Sequence, residues 1–168
     1  MKLMLRIIRM LIVIIAISGC AKSEPGLRIL GEDVSMALKT KNIEAYLNLC
    51  VTIKDKKYLI NSSELTFDEK RAQTALLSTT KRDLGRARED RSANFNDISW
   101  VKGWDRAIVQ KVVLGKRMNL SGGIMCYENI IVKFRKKTLP DLKIGKVVKV
   151  QGIWKIMDDH ALSFMSRI

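Results

Sequence analysis

The sequence predicts an α+β fold, with helices in the first half of the chain and antiparallel strands in the second. Apolar residues recur at helical spacing between Ile29 and about Asp90. From Ile98 onward the composition changes to segments rich in Ile and Val that are separated by glycine turns. Because helices that precede a run of strands are typical of α+β domains, we expect the helices to pack on one face of an antiparallel sheet of about four strands.

The helical half divides at two interruptions. Apolar residues predict a first helix over residues 29–38, and Asn42 is a candidate N-cap for a short second helix over residues 43–50. Residues 51–64 are mostly polar and are predicted to be a loop or irregular segment.

A capping box marks the start of the third predicted helix. Thr66 is followed three residues later by Glu69, and the run to about Asp90 contains no proline, which predicts one helix of about 24 residues. Its basic residues are interpreted as a solvated face: Lys70, Arg71, Lys81, Arg82, Arg86, Arg88 and Arg91.

Turn residues separate the predicted strands. Ser121-Gly122-Gly123 and Gln151-Gly152 both have turn chemistry, and residues 136–142 are predicted to be a loop. The four predicted strands are residues 104–114, 124–134, 144–150 and 153–157.

The first residues of the chain have the pattern of a secretory signal. Lys2, Arg6 and Arg9 form a positive segment, and residues 10–18 carry no charge. Nine residues are too few for a transmembrane helix, which needs about 20. An ordinary secretory signal with a chance cysteine remains an alternative.

The end of this segment, Ile17-Ser18-Gly19-Cys20, resembles the lipobox of bacterial lipoproteins. The resemblance implies cleavage after Gly19 and lipidation of Cys20, which becomes the new N-terminus and anchors the protein in a membrane. Ala21 is not the aspartate that retains enterobacterial lipoproteins in the inner membrane, which favours the outer membrane facing the periplasm. A Gram-positive cell surface remains open.

The chain therefore divides into a signal peptide (1–19), a lipidated tether (20–26) and a single α+β domain (27–168). Removal of the signal takes three basic residues and leaves 28 basic and 17 acidic ones, a formal net charge of +11. This charge favours an anionic envelope component or an acidic protein as partner, although it also fits a merely soluble surface. No motif supports a nucleic acid as partner.

With Cys20 assigned to lipid, Cys50 and Cys126 form an even pair in an oxidising compartment. Two interpretations stay open, a disulfide between them or two separately buried thiols.

Two segments of the domain resemble the nuclear transport factor 2-like superfamily. Residues 39–47 resemble the helix break of that family, and residues 150–156 resemble its final hairpin, in which a glycine turn leads into Trp-Lys-aliphatic. The resemblance covers residues 27–158 and implies a cystatin-like cone, with helices packed on a curved sheet.

Enzymes of this superfamily place Asp, Tyr or His inside the cone, and the corresponding candidates here are Tyr46, Asp105, Tyr127 and His160. We interpret His160 and Asp105 as surface residues and both tyrosines as core residues, and we therefore predict no catalytic residue and no enzyme activity. One His and two distant cysteines do not form a metal site, and no cofactor is predicted.

An apolar concavity is the alternative site, either as a ligand pocket or as ordinary core. Its candidate lining residues are Trp100, Trp104, Met125, Tyr127, Trp154 and Met157.

The leading functional hypothesis is a membrane-tethered, non-enzymatic binding or scaffold domain of the cell envelope. The alternatives are a carrier of a small apolar ligand or a cone-pocket enzyme, and an immunity-type lipoprotein that neutralises an acidic toxin.

Overall fold

The structure is a computed structural model that describes residues 24–79, 81–135 and 139–165. This part of the chain is α+β, with five helices followed by eight strands in two antiparallel sheets, which confirms the predicted fold class. The predicted signal peptide, Cys20 and residues 21–23 lie outside the described residues.

In the part of the chain that the structure describes, five helices precede the sheets. Pro25 occupies the first turn of α1, where its missing N–H is not needed, so the helix begins two residues before the predicted domain boundary. Asn42 caps α2, as predicted, by accepting a hydrogen bond from the Ala45 amide at 3.0 Å. The helices are α1 (Pro25–Thr40), α2 (Ile43–Asn48), α3 (Ile53–Ser62), α4 (Phe67–Thr79) and α5 (Lys81–Ser99).

The prediction of a loop over residues 51–64 is wrong, because α3 occupies most of this segment. Thr52 and Asp55 form a reciprocal capping box that starts this helix. Leu59 and Ile60 are buried, and this tertiary contact stabilises a helix whose polar composition conceals it in the sequence.

The capping box of Thr66 and Glu69 is confirmed, with the Thr66 amide donating to the Glu69 carboxylate at 2.8 Å. The helical region extends further than predicted, since α5 ends at Ser99 and not near Asp90. A 3-10 turn over Trp104–Arg106 follows where the first strand was expected to begin.

Among the described residues, eight short strands replace the four predicted ones. They are β1 (Val109–Val113), β2 (Lys116–Leu120), β3 (Ile124–Glu128), β4 (Ile130–Phe134), β5 (Leu142–Ile144), β6 (Val147–Val150), β7 (Ile153–Ile156) and β8 (Leu162–Phe164). The first sheet has the order β1-β4-β5-β8 and the second the order β2-β3-β6-β7.

The two sheets are formed by four chain segments that each bend in the middle. The predicted strand over residues 124–134 breaks at Asn129, whose φ is +63°, and the one over residues 144–150 breaks near Gly145. The Asn129 amide donates to the Gly145 carbonyl at 3.2 Å, and the Gly145 amide donates to the Ala161 carbonyl at 2.8 Å. These bonds connect neighbouring segments across the bend, so the curvature arises from a line of breaks in one meander.

Helices cover both faces of the second sheet, where one covered face was expected. Val147 and Val148 are adjacent in β6, and their side chains join different core clusters. The Val147 cluster contains the buried side of α1, whereas the Val148 cluster contains Leu59 of α3. The helices α1 and α3 therefore lie on opposite sides of this sheet.

Candidate functional site: a basic groove beside the first helix

A groove lies between α1 and the segment that leads into β1. Its volume is about 420 Å³, and its walls include Arg28, Met36, Lys39, Ile108 and Arg135. The Arg135 amide donates to the Ile108 carbonyl at 2.9 Å, which fixes this segment beside the end of β4. The groove therefore combines apolar side chains with three cations and one carboxylate, that of Glu32, in one concave surface.

The cations of the groove differ in their partners. Arg28 Nε lies 2.9 Å from the Glu32 carboxylate, one helical turn away. Among the described residues, neither Lys39 nor Arg135 has a carboxylate within 4.0 Å. Both cations are available for an external anion, and such contacts are favoured where apolar surface can be buried at the same time.

Trp100 extends this surface at the far end of α1. Its side chain is 72% exposed, and the ammonium of Lys41 lies 3.6 Å from the centroid of its ring. Lys41 ends α1 with a left-handed backbone (φ +52°), which turns the chain beside Trp100. Trp100 is therefore not part of the packed core, and its ring is available at the surface beside one cation.

The predicted pocket residues do not line one cavity: Trp104 and Trp154 belong to the same core cluster, Met125 and Tyr127 pack against it, and Trp100 is exposed. Trp104 is buried between Phe134 and Phe164, with ring centroids 5.7 and 6.1 Å away, in the core beneath the first sheet. Trp154 is buried in the second sheet beside Tyr127, with 5.5 Å between the ring centroids. Because these aromatics pack against core neighbours, they correspond to the ordinary-core alternative.

The remaining pocket candidates occupy three different places. Met125 contributes to another groove, of about 350 Å³, which Tyr58 and Lys149 also line. Met157 packs against the cluster beneath α3, and Trp100 is on the surface.

Cys50 and Cys126 are both free thiols, each buried in a different core cluster. Cys126 pairs with Val148 in the sheet and faces α3, whereas Cys50 belongs to the cluster on the opposite face. Because the two cysteines lie in core clusters on opposite faces of the second sheet, the structure contains two separately buried thiols and no disulfide between them.

Arg91 connects α5 to two loops from inside the protein. Its guanidinium donates to the carbonyls of Val51 at 3.1 Å and Met157 at 3.5 Å, and it lies 3.0 Å from the Asp159 carboxylate. The interpretation of Arg91 as part of a solvated face is wrong. Its spacing from Phe95, one helical turn later and buried, is the sequence signal for this position.

Tyr46 and Cys50 lie near Arg91 in the core. The Tyr46 ring stacks on Phe95 with 5.0 Å between centroids, and its hydroxyl has no hydrogen-bond partner among the described residues. Burial raises the pKa of Tyr46 well above its ordinary value. Burial also raises the pKa of the Cys50 thiol to about 11, although the positive charge of Arg91 acts in the opposite direction.

This buried thiol predicts a loss of stability in alkali. The folded thiol keeps its proton to higher pH than the unfolded one, so its contribution to stability is complete below about pH 8 and declines as the pH rises toward 11. Urea unfolding across this range should show that Cys50→Ala removes up to about 3 kcal/mol of the decline. An identical decline in the variant and in the wild type would contradict this assignment.

The titratable candidates do not converge on a catalytic centre. Asp105 is 73% exposed and lies 3.4 Å from Arg106 of the same 3-10 turn, and His160 is exposed. Tyr127 packs on Trp154, and Tyr46 is enclosed in the core. Within the described ranges, no group of three or more His, Cys, Asp or Glu side chains is arranged to hold a metal ion. No helix in this part of the chain is long and apolar enough to cross a membrane.

The sequence did not identify the groove. Lys39 and Arg135 are almost 100 positions apart, and only the packing of α1 beside β1 brings them to one surface. A comparison of this chain with family models, curated proteins and solved structures found no match.

Proposed function

We propose that the protein is a lipid-anchored component of the cell envelope, whose α+β domain binds an anionic envelope component without catalysing a reaction. The lipobox resemblance of residues 17–20 supports the anchor. The observation that carries the binding role is the groove, in which Lys39 and Arg135 lack carboxylate partners among the described residues and flank exposed Met36 and Ile108.

The position of the groove relative to the tether supports this proposal. The chain enters α1 directly after Glu24, and the four residue-to-residue steps from Cys20 to Glu24 span at most about 14 Å when extended. Arg28 lies in the first turns of α1, so one end of the groove is held near the anchor. Electrostatic attraction acts over about 8 Å at physiological salt, and Lys39 lies eleven residues, or about 16 Å, beyond Arg28 along α1. Both cations therefore reach a membrane surface only if α1 lies along it.

Two variants of the full chain test the two parts of this proposal. Cys20→Ser should abolish incorporation of a labelled fatty acid and leave the protein unprocessed or released from the membrane fraction. Lys39→Gln combined with Arg135→Gln should keep the fatty-acid label. The binding of this detergent-solubilised variant to immobilised envelope fractions should weaken about tenfold or more at low salt, because each cation contributes about 1 kcal/mol at an anionic surface.

Lys54→Gln combined with Lys57→Gln is the charge-matched control, because these lysines lie on α3, on the opposite side of the second sheet. Unchanged fatty-acid labelling in Cys20→Ser would refute the anchor. Equal retention of the groove variant and the control variant would refute the binding role.

A further inference from the structure

The groove belongs to a longer surface along the exposed side of α1. Ile29 and Met36 are each 57% exposed, and their spacing of seven residues places them on one stripe of the helix. Ile108 is 51% exposed and lines the groove together with Met36, while Trp100 adjoins Lys41 at the end of the helix. We call this surface, formed by α1 and residues 100–108, the α1 face.

The α1 face is long and one-sided. The 16 residues of α1 correspond to about 24 Å, with the tether at one end and Trp100 at the other. The opposite side of α1 is buried, with Leu30, Val34 and Leu38 in the core. The exposed apolar residues are therefore distributed along the whole helix, and they do not form a compact cluster like the centre of a protein interface.

Three cations, Arg28, Lys39 and Arg135, line the groove, and Lys41 lies on the Trp100 ring. Lys102 and Arg106 line a separate pocket of the segment after Trp100. Three carboxylates share the surface, and two of them are paired, Glu32 with Arg28 at 2.9 Å and Asp105 with Arg106 at 3.4 Å. Asp33 is exposed beside Glu32. The face is thus positive overall, with apolar side chains between the cations.

We infer that the α1 face lies on an anionic lipid bilayer, with α1 parallel to the membrane and Trp100 at the level of the lipid headgroups. The inference rests on the proposed function, and it identifies anionic lipid as the envelope component. Tryptophan is favoured at the boundary between hydrocarbon and water. Cations that flank exposed apolar side chains along a helix attract anionic headgroups while the apolar groups enter the interface. A tether at the start of α1 and Trp100 at its end fit a helix that lies flat.

The tryptophans of the protein allow a direct test. The chain has three, and Trp104 and Trp154 are only 4% and 3% exposed, so Trp100 alone is accessible to a quencher in the membrane. The full-length, lipidated protein is reconstituted into vesicles containing brominated phosphatidylglycerol, and tryptophan fluorescence is measured. We expect quenching and a blue shift in the wild type, loss of the quenched component in Trp100→Phe, and weaker quenching when the brominated lipid is zwitterionic.

A second variant distinguishes this face from general adsorption. Phe67 is 78% exposed at the start of α4, which packs on α3, on the other side of the second sheet. Phe67→Trp in the Trp100→Phe background keeps one exposed tryptophan but moves it away from the α1 face, and we expect no quenching. Equal quenching in this variant would overturn the inference, because it would indicate contact without a preferred face.

Flotation with the vesicles tests the lipid anchor, whereas quenching of Trp100 tests the contact of the α1 face with the bilayer. In one outcome the protein floats with the vesicles, but Trp100 fluorescence is quenched by acrylamide and not by the brominated lipid. This result would support the anchor and would show that the α1 face does not contact the bilayer. That outcome would leave an acidic protein as the partner of the face. If the protein does not float with the vesicles, the proposed anchor itself is refuted.

Discussion

Replacement of Gly115 by alanine is expected to destabilise the fold by about 3 kcal/mol or more. A β-carbon at this position would overlap the backbone carbonyl oxygen of Glu128 and would lie 2.5 Å from that of Asn129. Both neighbours are backbone atoms at the bend between β3 and β4, so relief of the overlap requires the strands to separate. Urea unfolding monitored by circular dichroism measures the loss.

Gly85→Ala is the matched control for this substitution. Gly85 lies in α5, and a β-carbon there would have no atom within 4 Å. Because glycine is unfavourable inside a helix, this variant should gain about 0.5–1 kcal/mol. A small effect of Gly115→Ala, within the range of the control, would contradict the close approach of the two bent segments.

Substitution of Arg91 by methionine should cost about 2–3 kcal/mol of the free energy of unfolding. Methionine keeps much of the side-chain volume but cannot donate, so the Val51 and Met157 carbonyls lose the hydrogen bonds that Arg91 supplies. Asp159 also loses its cation, although this part is small because its side chain is 44% exposed. Chemical denaturation at neutral pH gives the difference.

Arg88→Met provides the comparison on the same helix. Arg88 contacts Glu44 at 2.7 Å, but both side chains are more than 60% exposed, and such a pair contributes about 0–1 kcal/mol. If both variants lost the same small amount, Arg91 would not have the structural role that its buried contacts indicate.

The local features of the fold could be predicted where the responsible atoms are near in sequence. Asn42, and Thr66 with Glu69, cap helices through bonds between residues three apart, and these caps were predicted. The capping box of Thr52 and Asp55 has the same form, but it was missed because the apolar residues of α3 are few and gain stability only against the sheet.

The bends of the strands depend on distant partners. Residues 124–134 were predicted as one strand, and the only local sign of the bend is Asn129, since asparagine tolerates a positive φ. Its partner Gly145 is 16 positions away, so the direction of the bend depends on the fold. Arg91 likewise has the same chemistry as its exposed neighbours on α5. It is a buried donor only because the segments that contain Val51 and Met157 pack against it.

The sequence by itself determined the α+β class, the helix caps and the turns, since each depends on composition or on contacts within a few residues. The resemblance of residues 17–20 to a lipobox is likewise a property of the sequence alone. The tertiary structure decided which apolar residues form core and which form surface. Trp104 and Trp154 are buried while Trp100 is exposed beside Lys41, because burial depends on which segments meet in space. The groove of Lys39 and Arg135 has the same origin, since its two cations become neighbours only when α1 packs beside β1.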